Sequence, residues 1–319
     1  MAALWTPPPA RVAGARITEF MGQLESGGAG PFAGDYFALH RWAVDHPELF
    51  WAAVWEYCQV IGEGQLEPVL EHPDRFPGAR WFVNTRLNFA ENLLRRRDQH
   101  PALVSLLENG ERRELSYADL NRRVAQLAAS LRAEGVVAGD RVAGFMPNIE
   151  ETVVAMLAAT SIGAVWSSCS PDFGISGVMD RFGQIEPKVL FAADGYHYNG
   201  KRCDSLQRVA VIAERIDSIE KIVVVPLLDP QPDLGAIDKA VLFPEYLDAS
   251  AEEIAFERLP FDHPLYIMYS SGTTGVPKCI VHGAGGSLLQ HLKEQQLLVD
   301  LRPEDVFFYF TTCGWMMWN

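Results

Sequence analysis

Residues 269–278 read Tyr269-Ser270-Ser271-Gly272-Thr273-Thr274-Gly275-Val276-Pro277-Lys278. Four aliphatic hydroxyls, two glycines and one lysine within this stretch suit the chemistry of holding phosphate. Glycines let the backbone curl close to an anion, hydroxyls and amide N–H groups donate to its oxygens, and the lysine adds a mobile positive charge. Ser270, Ser271, Gly272, Thr273, Thr274, Gly275 and Lys278 are therefore the candidate phosphate contacts, with an ordinary Gly/Ser/Thr surface turn as the alternative. A kinase-type phosphate loop is excluded: Pro277 precedes the lysine, Cys279 follows it where a Ser or Thr is needed, and Ile280-Val281 favours a strand over the required helix. The Gly-x-Gly-x-x-Gly dinucleotide fingerprint is also missing.

Composition limits the partners. The chain has 319 residues and a formal net charge of -14, which disfavours nucleic acid or an anionic membrane surface, since both select for clustered Lys and Arg. An anionic ligand must then meet a local positive site. Five scattered cysteines (Cys58, Cys169, Cys203, Cys279, Cys313) show neither Cys-x-x-Cys spacing nor a disulfide framework, so a reduced cytosol is expected and no metal site is assigned. The N-terminus lacks a signal-peptide pattern, and the longest apolar run, residues 153–166, is too short to span a bilayer. His282 stands alone beside a strand-like run, a pattern more often structural than ligating.

A phosphate loop needs rigid elements on either side. Leu265, Tyr266, Ile267 and Met268 before it and Ile280 and Val281 after it read as strands. From residue 102 strand and helix alternate: strands at 103–107 and 112–115 surround the turn Glu108-Asn109-Gly110. Ser116 can cap a helix, with Asp119 three residues on and Leu120, Val124, Leu127 and Leu131 along one face. Strands at 141–146, 164–168, 189–192 and 222–225 then alternate with helices at 150–161, 175–185 and 206–215, the second stopped by Pro187. This rhythm predicts an α/β fold with a mostly parallel sheet covered by helices on both faces. Residues 227–264 are rich in Pro and Asp and read as loops with a short helix near Tyr246; a helix at 287–299 and a strand at 305–310 follow. Upstream, Pro7-Pro8-Pro9 and Gly27-Gly28-Ala29-Gly30-Pro31 suggest a loosely ordered arm over 1–35. Phe37, Trp42, Phe50, Trp51, Trp55 and Tyr57 form an aromatic helical face that reads as core.

The stretch 269–278 resembles the phosphate loop of the acyl-adenylate-forming superfamily of acyl-CoA synthetases, luciferases and adenylation domains. Leu115-Ser116-Tyr117-Ala118-Asp119-Leu120, Ile162-Gly163-Ala164-Val165 and Gly314-Trp315 resemble further ordered motifs of that superfamily. Within it, Leu39-His40-Arg41-Trp42 with Phe50-Trp51 is similar to the helical extension of acetyl-CoA synthetases. Asn88-Phe89-Ala90-Glu91-Asn92, Tyr198-Asn199-Gly200-Lys201, Ile280-Val281-His282-Gly283 and Gly314-Trp315-Met316-Met317-Trp318-Asn319 are more similar to the acetoacetyl-CoA synthetase family. The resemblance covers roughly residues 36–319.

It implies an N-terminal helical extension over 36–95 and an incomplete large adenylation domain over 96–319, without the small C-terminal domain of the family. It also implies an ATP-dependent acid:CoA ligase: a carboxylate attacks the ATP α-phosphate to give an acyl-adenylate and pyrophosphate, and the CoA thiol then displaces AMP. The substrates would be acetoacetate, ATP and CoA, with acetate, propionate or another short acid as alternatives. Ser270 to Lys278 would contact ATP phosphates, and Trp315, Met316 and Met317 would line the acyl pocket, unless the methionines merely fill core. Lys201 and Arg202 fall in a loop resembling one near the CoA phosphates, with a solvated basic pair an equal reading. The Mg2+ ligand and the lysine promoting adenylation are expected beyond residue 319, so no catalytic residue is assigned. The isolated chain is expected to be inactive, and a non-catalytic nucleotide-binding module remains the alternative.

Overall fold

A computed structural model describes residues 4–270 and 275–319. The chain folds as two compact units. Residues 88–259, 263–284 and 310–319 form one; residues up to 87, 260–262 and 285–309 form the other.

In the first of these, Pro101–Leu106 and Arg112–Ser116 make an antiparallel hairpin. Its turn is closed where Gly110 takes φ +87°. Ser116 then caps the helix Tyr117–Ala133 (α1): its Oγ accepts from Asp119 N at 3.1 Å and donates to the Asp119 carboxylate at 2.8 Å. Leu120, Val124, Leu127 and Leu131 on this helix are all buried, as their spacing requires.

The sheet that follows has seven strands: Arg141–Phe145 (β1), Val165–Cys169 (β2), Val189–Ala193 (β3), Lys221–Val225 (β4), Ala240–Leu242 (β5), Pro264–Ser270 (β6) and Lys278–Gly283 (β7). Their spatial order is β5-β4-β3-β1-β2-β6-β7. Every neighbour pair from β5 to β6 is parallel; β6 and β7 alone are antiparallel. The helices Glu150–Ser161 (α2), Ile175–Ile185 (α3) and Leu206–Arg215 (α4) make the crossovers.

Alternation along the pleat decides which residues meet which helix. Ala143, Phe145, Leu190, Ala192, Ile222 and Val224 share a cluster with Val178, Phe182 and Ile185 of α3 and Val209 and Ile212 of α4. Each fully buried Val, Leu, Ile or Phe among them contributes about 1.5–3 kcal/mol over an exposed one. Trp166 is wholly buried, and Gly144 makes room for it: a Cβ there would stand 2.7 Å from the indole. At the C-terminus of α3, Arg141 donates to the carbonyls of Ile185 (2.6 Å) and Glu186 (3.0 Å), satisfying acceptors that helix ends leave open.

In the other unit, residues expected to form a loosely ordered arm instead include the helices Pro9–Gly14 and Arg16–Ser26. The proline cluster ends with Pro9 at the first helical position, where its missing N–H costs nothing. Phe20 of the second helix is buried, with its ring 5.3 Å from Tyr57 and 6.1 Å from Phe50. Arg16 donates through its backbone N–H to Asp300 and through Nη1 to Gln296. Helices Tyr36–Asp45 and Pro47–Tyr57 form as the aromatic pattern predicted, but the face is not uniformly core: Phe37 is 68% exposed while Trp55 is buried, and Trp55, Phe82 and Phe261 stack in sequence.

Two expectations near the C-terminus are corrected. The helix placed at 287–299 is α-helical over Ala284–Leu292 and π-helical over Lys293–Leu298. The strand placed at 305–310 does not form; Val306, Phe308 and Phe310 are 91%, 82% and 79% exposed. A strand needs a neighbour's ladder to satisfy its backbone, and no described strand pairs with this run.

Candidate functional site

The phosphate-loop candidates sit between β6 and β7. The antiparallel register sets Tyr269 opposite Cys279 and Ser270 opposite Lys278, so a hydroxyl and an ammonium face each other across the hairpin mouth. Lys278 is exposed and Ser270 half-buried. Gly275 has φ +133°, a backbone conformation that a side chain would strain. Ser271, Gly272, Thr273 and Thr274 lie outside the described residues.

β2 ties this hairpin to the second candidate segment. Ser167 Oγ donates to the Ile267 carbonyl at 2.8 Å and shares a hydrogen bond with the Tyr269 hydroxyl at 2.9 Å. Burial pushes the Tyr269 phenol well up, against a smaller opposing pull from Ser167, so the ring stays neutral and serves as a strut. One residue on, Ser168 Oγ donates to the Cys313 carbonyl at 2.7 Å. Cys313 is buried, which drives its thiol pKa up; burial also pushes the Cys169 thiol up to about 12, so neither is a ready thiolate.

Gly314 then passes against the loop after β2, where an added Cβ would stand 2.9 Å from Ser170 N and 3.3 Å from the Phe173 ring. Trp318 Nε1 donates to Asn148 Oδ1 at 2.9 Å, anchoring the far end of the segment. Between these anchors Trp315, Met316 and Met317 are 56%, 40% and 62% exposed and lead into a 3-10 turn, Met316–Trp318. None of the three is buried within this chain.

The structure thus brings the hairpin mouth and residues 313–318 to the carboxyl end of β2. In open α/β sheets this is where ligands bind. The residues that join the two segments, Ser167 and Ser168, carried no sequence signal, because two serines in an apolar run look like ordinary strand positions. Lys201 and Arg202 are exposed on a separate hairpin, Gly195–Tyr198 with Lys201–Asp204, whose turn is held by Gly200 N donating to Glu108. His282 is exposed on β7 opposite Tyr266.

Among the described residues no group of three or more His, Cys, Asp or Glu side chains is placed to hold a metal ion. A Mg2+ ion prefers carboxylate and phosphate oxygens. Near the hairpin mouth the described residues offer a hydroxyl and an ammonium, which suit phosphate and not the cation itself. No described helix is long and apolar enough to cross a membrane.

Comparison with known proteins gives the family. Residues 89–318 match the family described as AMP-binding enzyme, and residues 36–93 match the acetyl-coenzyme A synthetase N-terminus. The chain is 48% identical over 318 residues to an acetoacetyl-coenzyme A synthetase of Rhizobium meliloti (strain 1021), covering 99% of this chain and 48% of the relative. It is 40% identical to a malonamoyl-CoA synthetase of Penicillium aethiopicum, covering 89% of this chain and 41% of that one. The solved acetoacetyl-CoA synthetase from Streptomyces lividans superposes with a TM-score of 0.94 at 45% identity, covering all of this chain and 49% of that chain. The chain therefore spans about half the length of the relatives it matches. With a match over residues 89–318, well over half of its length, the chain belongs to the AMP-binding enzyme family.

Proposed function

We propose that this chain carries the ATP-phosphate loop and the acyl-pocket wall of an AMP-forming acetoacetate:CoA ligase. The observation that carries the reading is the hairpin mouth, Ser270 opposite Lys278, held through β2 beside the exposed Trp315-Met316-Met317 segment. The names of the relatives support the choice of acyl group. In this reading ATP and CoA are the co-substrates. A carboxylate oxygen bonds to the α-phosphorus as pyrophosphate leaves, and the CoA sulfur then bonds to the acyl carbon as AMP leaves. Neither step needs a protein nucleophile, so the protein acts by positioning and by stabilising charge on phosphoryl oxygens.

Ser270, Gly275 and Lys278, with the undescribed Ser271, Gly272, Thr273 and Thr274, would contact the phosphates. Trp315, Met316 and Met317 would face the acyl group. A Mg2+ ion would neutralise phosphate charge when bound; no described cluster holds it, and no step is assigned to it. The proposed division into a helical extension at 36–95 and an adenylation domain at 96–319 is supported by the family matches at 36–93 and 89–318.

A second reading is a ligase for malonamate, favoured by the 40% identity to a malonamoyl-CoA synthetase. Acetoacetate and malonamate both carry a carbonyl two carbons from the carboxylate, so one pocket can serve either. The complete gene product should be assayed for pyrophosphate release with acetoacetate, malonamate, acetate, propionate and butyrate. The highest kcat/KM is expected with acetoacetate; a preference for acetate or propionate would overturn the assignment.

A further inference from the structure

The hairpin that bears Lys278 is gripped from outside the sheet by one helix. On α3, Gln184 Nε2 donates to the Pro277 carbonyl at 2.9 Å and also to the Asp180 carbonyl of its own helix. Both acceptors are carbonyl oxygens, so only the amide nitrogen of Gln184 can face them, and both of its N–H groups are used. Pro277 is the residue immediately before Lys278, and its ring fixes φ, so tethering its carbonyl orients the peptide that leads into the lysine.

Three residues earlier on α3, and therefore on the same face, Arg181 places its guanidinium over the Phe173 ring at 4.6 Å and the Tyr269 ring at 5.7 Å. Its donation to Gly177 O at 2.8 Å fixes the fork. Tyr269 lies at the end of β6 and Pro277 just ahead of β7. One helix face thus touches both limbs of the hairpin, 93 residues away in sequence in the case of Gln184 and Pro277.

We propose that Gln184 and Arg181 are positioning residues of the phosphate hairpin, with Gln184 holding the Pro277-Lys278 limb and Arg181 the Tyr269 limb. Neither is assigned a contact with substrate. The role rests on the reading of residues 269–278 as a phosphate loop, but the tether itself does not. An untied limb spends less time in the binding geometry, so the apparent affinity for nucleotide falls by the fraction of time lost. A neutral hydrogen bond of this kind corresponds to about a 2- to 10-fold effect.

The test uses Gln184→Met, which keeps length and volume but removes the donor. Gln184 is exposed, so global stability should not change. Without nucleotide, amide hydrogen exchange at Val276, Lys278 and Cys279 should quicken while exchange within α4 stays as in the wild type. Gln184→Lys, which restores a donor, should return protection. Arg181→Met should quicken exchange at Tyr269 and Ser270. With the complete gene product, Gln184→Met should raise KM for ATP by about 2- to 10-fold and leave KM for the acyl substrate unchanged.

Unchanged exchange at residues 276–279 in Gln184→Met would overturn the tether, as would quickened exchange throughout the unit, which would mean general loosening. Faster loop exchange in a protein that binds no ATP would support the tether and overturn the phosphate-loop reading. ATP binding by wild type and variant alike, with equal KM, would overturn the positioning role while leaving that reading intact.

Discussion

Replacing Gly314 by alanine tests whether residues 313–317 must pass so closely against the end of β2. The added Cβ would stand 2.9 Å from Ser170 N, 3.1 Å from Ser170 Cβ and 3.3 Å from the Phe173 ring. Ordinary contact begins at 3.4 Å, so the backbone must open by about 0.5 Å on one side. Ser170 cannot yield easily: it continues from the buried strand β2, and Arg208 holds the next turn by donating to Pro171 O at 2.6 Å. The displacement therefore falls on the Cys313-Gly314-Trp315 side and stretches the 2.7 Å bond from Ser168 to the Cys313 carbonyl. Overpacking of this kind costs about 1–3 kcal/mol. Urea denaturation should show a lower midpoint with an unchanged slope, since the folded and unfolded surfaces stay alike. In turnover assays of the complete gene product the KM for the acyl substrate should rise while that for ATP holds, because the moved residues are Trp315, Met316 and Met317. A Gly314→Ala variant with wild-type stability and wild-type acyl KM would refute both the close approach and the pocket assignment.

Other outcomes follow from single contacts. Lys278→Met removes an exposed ammonium, so stability should hold while ATP affinity drops by about 10- to 100-fold, the range of one charge-assisted hydrogen bond; calorimetric titration with ATP measures it, and unchanged affinity would remove Lys278 from the site. Ser116→Ala deletes the cap of α1 and should cost about 1 kcal/mol in chemical denaturation. Glu151 has a carboxyl oxygen buried without a hydrogen-bond partner, and burial, reinforced by neighbouring Glu150, raises its pKa above the usual carboxylate value. The folded state therefore binds this proton more tightly than the unfolded state, so the group's contribution weakens stability as pH rises above about 4.5. Glu151→Gln should raise the melting temperature at neutral pH, with the gain shrinking towards zero below that pH; a gain independent of pH would show that ionisation is not its source.

What could be read from the residues alone was local. The Ser116 and Asp119 cap, the apolar spacing of α1 and the Pro187 stop after α3 each act within a few residues, and the observed bounds Tyr117–Ala133 and Ile175–Ile185 follow them. Ile280-Val281 likewise pointed to the strand β7 and against a kinase-type loop. The same local logic failed where a partner was needed: Val306 to Phe310 has strand composition but no described neighbour to pair with. It failed again at residues 9–26, where prolines read as breaks instead of a helix start.

The site itself is assembled by contacts between distant residues. Ser167 meets Tyr269 across 102 positions, Ser168 meets Cys313 across 145, and Gln184 meets Pro277 across 93. Such pairings depend on which strands lie side by side, and the order β1-β2-β6-β7 is not written in any local pattern. Residue types at 269–278 could announce affinity for phosphate, because hydroxyls, glycines and a lysine carry that chemistry wherever they sit. That β2 joins Tyr269 to the Cys313 segment, and that Arg181 and Gln184 of one helix touch residues 269 and 277, follows from the packing of the sheet.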